Sequence, residues 1–99
     1  MSLIIEKKIQ DKIVSLISAL VPDAKIYLYG SRARGTNNEW SDIDLALDAG
    51  NPLPFELVGE LASIFEASSI IYKIDVVDLY GVSKAMREAI LKDKVIWKH

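Results

Sequence analysis

Two acids stand two residues apart in the run Ser41-Asp42-Ile43-Asp44-Leu45, and a third, Asp75, lies inside the apolar run Ile70 to Val77. Residues i and i+2 of an extended strand leave the same face, with Cα atoms roughly 6.5 to 7 Å apart, so Asp42 and Asp44 can serve one site. Strands disfavour Asp, and like charges on one face repel, so the pair needs compensation. A hard divalent cation supplies it naturally. By the same alternation Asp75 shares a face with Lys73 and Val77. If the two acidic strands are neighbours, Asp42, Asp44 and Asp75 form a three-carboxylate set able to hold Mg²⁺, with Mn²⁺ the alternative, while substrate phosphates fill the remaining positions. Two such ions, about 4 Å apart, could clamp the attacking and leaving oxygens of a displacement. Asp78 competes with Asp75 for this role, since either acid could instead pair with Lys73 or a helix end.

Ahead of the acids comes Gly30-Ser31-Arg32-Ala33-Arg34-Gly35. A glycine ending a strand lets backbone approach an anion closely, and Ser31 adds a hydroxyl. Together with backbone N–H groups of a following helical turn, Arg32 and Arg34 complete a cradle for the outer phosphates of a nucleoside triphosphate. The bland alternative for both arginines is a solvated surface. Rival phosphate motifs fail on spacing: Gly30 and Gly35 mimic P-loop glycines, but Thr36 stands where the lysine belongs, and there is no G-x-G-x-x-G. A calcium-loop reading of Asp42 to Asp48 fails too, because Ala46 occupies a ligand position and Leu47 replaces the turn glycine.

The elements that must position these groups follow from periodicity. Between Leu3 and Leu20 the residues Ile5, Ile9, Ile13, Leu16, Ile17 and Leu20 recur at helical spacing. Pro22 and Asp23 break that helix, and Ala24 to Tyr29 reads as a strand ended by Gly30. Gly30 to Ser41 is a polar loop with a helical turn around Ser31 to Arg34. Asp42 to Asp48 alternates as a strand with one core face and one acidic face. Gly50, Asn51, Pro52 and Pro54 turn the chain into a second helix whose apolar face would be Phe55, Val58, Leu61, Ala62 and Phe65, with Glu56 near its N-terminus and Ser68 and Ser69 closing it. Ile70 to Leu79 is a third strand, Gly81 a turn, and Ser83 the N-cap of a last helix to about Leu91. Val95 to Trp97 adds a short strand or covers the core. The fold class expected is α/β (α+β): a small sheet of three or four strands covered by helices, in one domain over residues 1–99.

Bulk properties narrow the function. The chain has 99 residues, 51% hydrophobic, with a net charge of −2. That is enough apolar side chain for one core and too little positive charge for generic nucleic-acid binding. With no cysteine, disulfides, thiolate zinc sites and a cysteine nucleophile are excluded, which suits a reducing cytoplasm. Charges interrupt the N-terminal apolar stretch, so neither a signal peptide nor a membrane span is expected. Trp40 and Trp97 read as core or interface aromatics rather than base-stacking platforms, and His99 as solvated.

In order and spacing, Gly30-Ser31, then Ser41-Asp42-Ile43-Asp44-Leu45, then Ile74-Asp75-Val76-Val77-Asp78-Leu79 resemble the minimal nucleotidyltransferases of the DNA polymerase β superfamily, and the resemblance spans nearly the whole chain. It implies a nucleotidyltransferase fold with a small mixed β-sheet covered by helices, Mg²⁺ held by Asp42, Asp44 and Asp75, Asp75 as general base, and in-line transfer of a nucleotidyl group with loss of pyrophosphate. Short members of that family resemble stand-alone catalytic domains that pair with a small helical protein from a neighbouring gene, many as toxin and antitoxin modules that transfer AMP from ATP to the partner. Size alone points the same way, since a domain without room for an acceptor-binding unit borrows one from another protein or by homodimerisation. The competing functions are a non-catalytic partner-binding antitoxin of the same fold and a nucleotide sensor without turnover.

Overall fold

The structure is a computed structural model and describes residues 5–99. Four helices and four strands alternate along the chain: α1 Lys7–Leu20, β1 Lys25–Tyr29, α2 Ser31–Arg34, β2 Ile43–Asp48, α3 Phe55–Ala67, β3 Ile74–Asp78, α4 Lys84–Asp93 and β4 Val95–Lys98. The strands form one mixed sheet in the order β3-β2-β1-β4. β1 pairs antiparallel with both β2 and β4, and β2 pairs parallel with β3 through the α3 crossover. This is the helix-covered sheet expected from the pattern, mixed as the resemblance implies, and β4 pairs as a true edge strand. Of the first helix, Leu3 lies outside the described residues.

Alternation sorts the sheet into two faces. Ile26 and Leu28 of β1, Ile43, Leu45 and Leu47 of β2, and Val76 of β3 join Ile13 and Ile17 of α1 and Leu61 and Phe65 of α3 in the main core. The opposite face carries a smaller cluster of Tyr27, Ala46, Leu79 and Ile90, the last from α4. That second cluster corrects one expectation. The far face of β2 is acidic only at its ends, because Ala46 between Asp44 and Asp48 is fully buried beneath α4.

Two further expectations change. The third strand begins at Ile74, four residues later than its composition suggests. β-structure needs a partner backbone, and β2 offers one only from Ile43 onward, where Ile43 pairs with Ile74. Of the expected face of α3, Leu61 and Phe65 are buried and half-buried Leu57 joins them at i−4 from Leu61, whereas Phe55 and Ala62 are exposed. Phe55 is 89% exposed. It is the first helical residue, and Leu53 packs on the core in its place while its N–H donates to Asp78 Oδ2 at 2.9 Å. The last helix starts where expected, with the Ser83 hydroxyl accepting from Met86 N–H at 3.2 Å.

The two faces of α3 should therefore respond differently to truncation. Leu61→Ala, at a fully buried position, is expected to cost about 2–5 kcal/mol in denaturant melts. Phe55→Ser should stay within about 0.5 kcal/mol of the parent. Equal losses at both positions would contradict the packing of α3.

Candidate functional site

Register brings the site together. Tyr29 of β1 lies opposite Asp44 of β2, and Asp44 lies beside Asp75 of β3. Cross-strand partners share a face, so Tyr29, Asp44 and Asp75 form one row across three strands. It lies on the face carrying α4, one step beyond the row Tyr27, Ala46 and Val77 that belongs to the smaller core. Asp42 sits just before β2, exposed, with Oδ2 4.0 Å from Lys73 Nζ.

The acids of these strands separate by what already satisfies them. Asp48 accepts from the Tyr27 hydroxyl at 2.9 Å and from Gly50 N–H at 3.0 Å. Asp78 accepts from Leu53 N–H and Tyr80 N–H, at 2.9 and 3.0 Å. Both are turn-building groups, and Asp78 is thereby removed as a competitor for Asp75. Among the described residues the side-chain carboxylates of Asp44 and Asp75 accept no hydrogen bond. The charge of Asp44 is unfavourable where it stands: burial, then Asp75 and Asp42, push its carboxyl above the usual range, while Arg34 and Lys73 offset this only in part. Burial, followed by Asp44 and Asp75, likewise pushes the Tyr29 phenol up to about 12, further from ionisation than an ordinary tyrosine. Among the described residues no three acids already stand at ligand spacing. The set nevertheless suits a hard cation in type and charge: oxygen donors, uncompensated negative charge, and two carboxylates side by side.

Gly30 closes the row from above. Its φ of +76° favours glycine, and a Cβ there would lie 2.5 Å from Asp44 Oδ2. Its carbonyl accepts from Ala33 and Arg34 N–H, both at 3.1 Å, which starts the short α2 turn. Gly35 ends that turn in the left-handed conformation, donating to Ser31 O. Ser31 thus stands at the head of the turn beside Asp44.

The two arginines expected to line a phosphate cradle are engaged elsewhere. Arg32 donates to the Ser41 and Glu39 carbonyls and lies over the Tyr72 ring. Arg34 pairs with Asp93 of α4 at 3.0 Å, though it remains near enough to lower the Asp44 pKa. Trp40 is 67% exposed and belongs to no core, whereas Trp97 packs on the main core. Tyr29 joins the acidic row although the sequence pattern alone does not single it out. Its signal lies in the pairing, since an antiparallel return after Gly30 sets the last residue of β1 against the first acid of β2.

Comparison with known proteins adds a decisive observation: the profile of the family described as polymerase beta, nucleotidyltransferase, matches residues 11–99. The chain belongs to that family. The nucleotidyltransferase fold and the reaction class anticipated from Gly30-Ser31 and Asp42-Ile43-Asp44 are those of its family. It is 33% identical over 82 residues to a probable protein adenylyltransferase MntA of Haemophilus influenzae, covering 83% of this chain and 72% of that protein. It is 32% identical over 94 residues to the protein adenylyltransferase MntA of Shewanella oneidensis, covering 89% of this chain and 64% of that one. A solved toxin-antitoxin complex with AMP-PNP contains a similar chain, with a TM-score of 0.76 and 31% identity over 89% of this chain and 71% of that chain. Another, a tri-AMPylated Shewanella oneidensis HEPN toxin with its MNT antitoxin, gives a TM-score of 0.61 and 27% identity over 89% and 67% of the two chains.

Two outcomes follow from this geometry. A carboxyl whose pKa is raised by folding stabilises most below its ordinary value of 3.8 and loses that contribution as pH rises through the folded value. At pH 7 the charged Asp44 therefore costs stability. Asp44→Asn should raise Tm at pH 7, the gain shrinking toward acid pH, and a lower Tm at pH 7 would refute the crowding of these acids. Gly30→Ala should destabilise by about 1–3 kcal/mol for the backbone conformation alone, measured by thermal melts. Asp44→Ala in the same chain should recover part of that loss, because it removes the carboxylate that the new Cβ meets.

Proposed function

We propose that this chain transfers an AMP group from ATP to a hydroxyl side chain of a partner protein, releasing pyrophosphate. The observation that carries this reading is the lateral pairing of Asp44 with Asp75 against the Gly30-Ser31 turn, in a chain whose family transfers nucleotidyl groups. Asp42, Asp44 and Asp75 would hold Mg²⁺, or Mn²⁺ in its place. The cation, when bound, supplies neutralisation of the triphosphate charge and a more acidic acceptor hydroxyl.

This chain's own groups do the rest. Gly30 gives the triphosphate a close backbone approach and Ser31 a hydroxyl contact, with Arg34 nearby as a countercharge. Asp75, the more exposed member of the row, takes the proton of the incoming hydroxyl. The acceptor oxygen bonds to the α-phosphorus as the bond to the bridging oxygen breaks, and pyrophosphate leaves with that electron pair. Tyr29, a neutral phenol, flanks Asp44 from the other side.

The acceptor is proposed to be a small helical protein encoded beside this chain, with a second copy of the chain as the alternative. The named relatives support the first choice: they are protein adenylyltransferases, and the solved complexes are toxin-antitoxin pairs. No described helix is long and apolar enough to cross a membrane, and a triphosphate donor with a cysteine-free chain suits the cytoplasm.

Incubation with labelled ATP, Mg²⁺ and the neighbouring gene product should move label to that protein, and Asp44→Asn should reduce transfer to background. Mg²⁺ should raise the Tm of the parent and leave that of Asp44→Asn unchanged. If Asp42→Asn and Asp44→Asn proteins neutralised the partner as well as the parent does, the chain would be a non-catalytic binding module instead.

A further inference from the structure

Arg32 follows Ser31 directly, yet its guanidinium points into the protein's own backbone. Nε donates to Ser41 O at 3.0 Å and Nη2 to Glu39 O at 3.1 Å. Its Cζ lies 4.8 Å from the centre of the Tyr72 ring, whose other neighbour is Trp40, 6.4 Å away and inclined by 43°. The bonded loop is already a tight turn. Asn38 N–H donates to Ser41 Oγ, Trp40 N–H to Asn38 Oδ1, and Ser41 N–H to Asn38 O, at 3.0, 2.8 and 3.3 Å.

The segments just named each lead into part of the site. Ser41 immediately precedes Asp42. Tyr72 precedes Lys73, whose carbonyl accepts from Ile43 N–H at 2.9 Å and so starts the pairing that sets Asp75 beside Asp44. Arg32 itself belongs to the turn carrying Ser31. One planar group thus ties together the phosphate-side turn, the approach to Asp42 and the approach to Asp75.

We infer that Arg32 is a positioning residue for nucleotidyl transfer, fixing Asp42 relative to Asp44 and Asp75, and that it is not a phosphate ligand. This inference rests on the reading under Proposed function. The role demands arginine: two parallel donors reach two carbonyls while the flat face lies on an aromatic ring, a combination a lysine ammonium cannot reproduce.

The test compares the parent with Arg32→Lys, Arg32→Ala and Tyr72→Leu. Amide hydrogen exchange at Trp40 and Ser41 should accelerate in all three, and Trp40 fluorescence, read in a Trp97→Phe background, should shift. ATP affinity without acceptor should stay within about threefold of the parent, while kcat falls roughly 10- to 100-fold, as expected for misplaced rather than missing groups. Lysine should rescue neither kcat nor exchange. Arg32→Lys keeps charge and bulk, so it decides the matter should Arg32→Ala not fold. A collapse of ATP affinity in Arg32→Ala that lysine largely restores would make Arg32 a phosphate ligand and overturn the inference, as would unchanged exchange across Asn38 to Ser41. If the parent transfers no nucleotide at all, the proposed function fails while the exchange data still decide whether the clamp exists.

Discussion

The structure turns on an electrostatic conflict that the sheet enforces. Antiparallel pairing of β1 with β2 and parallel pairing of β2 with β3 set Tyr29, Asp44 and Asp75 side by side. In water two such carboxylates would drift apart. Here the main core fixes both strands through Ile43, Leu45, Leu47 and Val76, so hydrophobic burial holds in place a charge arrangement that is unfavourable by itself. Proteins that bind cations or polyphosphates carry such deliberate costs, and the tendency of functional groups to work against stability appears here at named atoms.

The same face illustrates how local context decides an acid's role. Asp48 and Asp44 leave the same side of β2, four residues apart. One is tied to the Tyr27 hydroxyl and to a turn N–H; the other meets a glycine Cα, a neutral phenol and another acid. The Asp48 contact also makes the Tyr27 phenol harder to ionise: burial and that hydrogen bond push it up to about 12. Between the two acids Ala46 leaves room for Ile90, and α4 therefore covers the middle of the face while its acidic end lies beyond the smaller core.

Much of this was legible in the sequence, and the reasons are physical. Acids inside apolar runs are costly, so Asp42, Asp44 and Asp75 stood out, and period-two alternation placed Asp42 with Asp44 without knowledge of any partner strand. Gly30 announced a turn. What stayed hidden depended on tertiary partners. The bounds of β3 were set by β2, the buried face of α3 by where the sheet lay beneath it, and the partners of Arg32 and Arg34 by a loop and a helix distant in sequence. Asp78 could not be separated from Asp75 until Leu53 and Tyr80 were seen to occupy it. A guanidinium is long enough to serve several masters, and its sequence neighbours do not say which.

The crossover between β2 and β3 carries one more implication. A ribosome that has released the chain only through β2 has delivered the glycine turn and the first two acids, but their third companion arrives only after α3 has formed and swung back across the sheet. Parallel pairing is a long-range closure that local structure cannot supply. The acidic row thus closes when β3 docks on β2, while β4, made later, completes the other edge of the sheet, so a chain halted at β2 carries the glycine turn without Asp75.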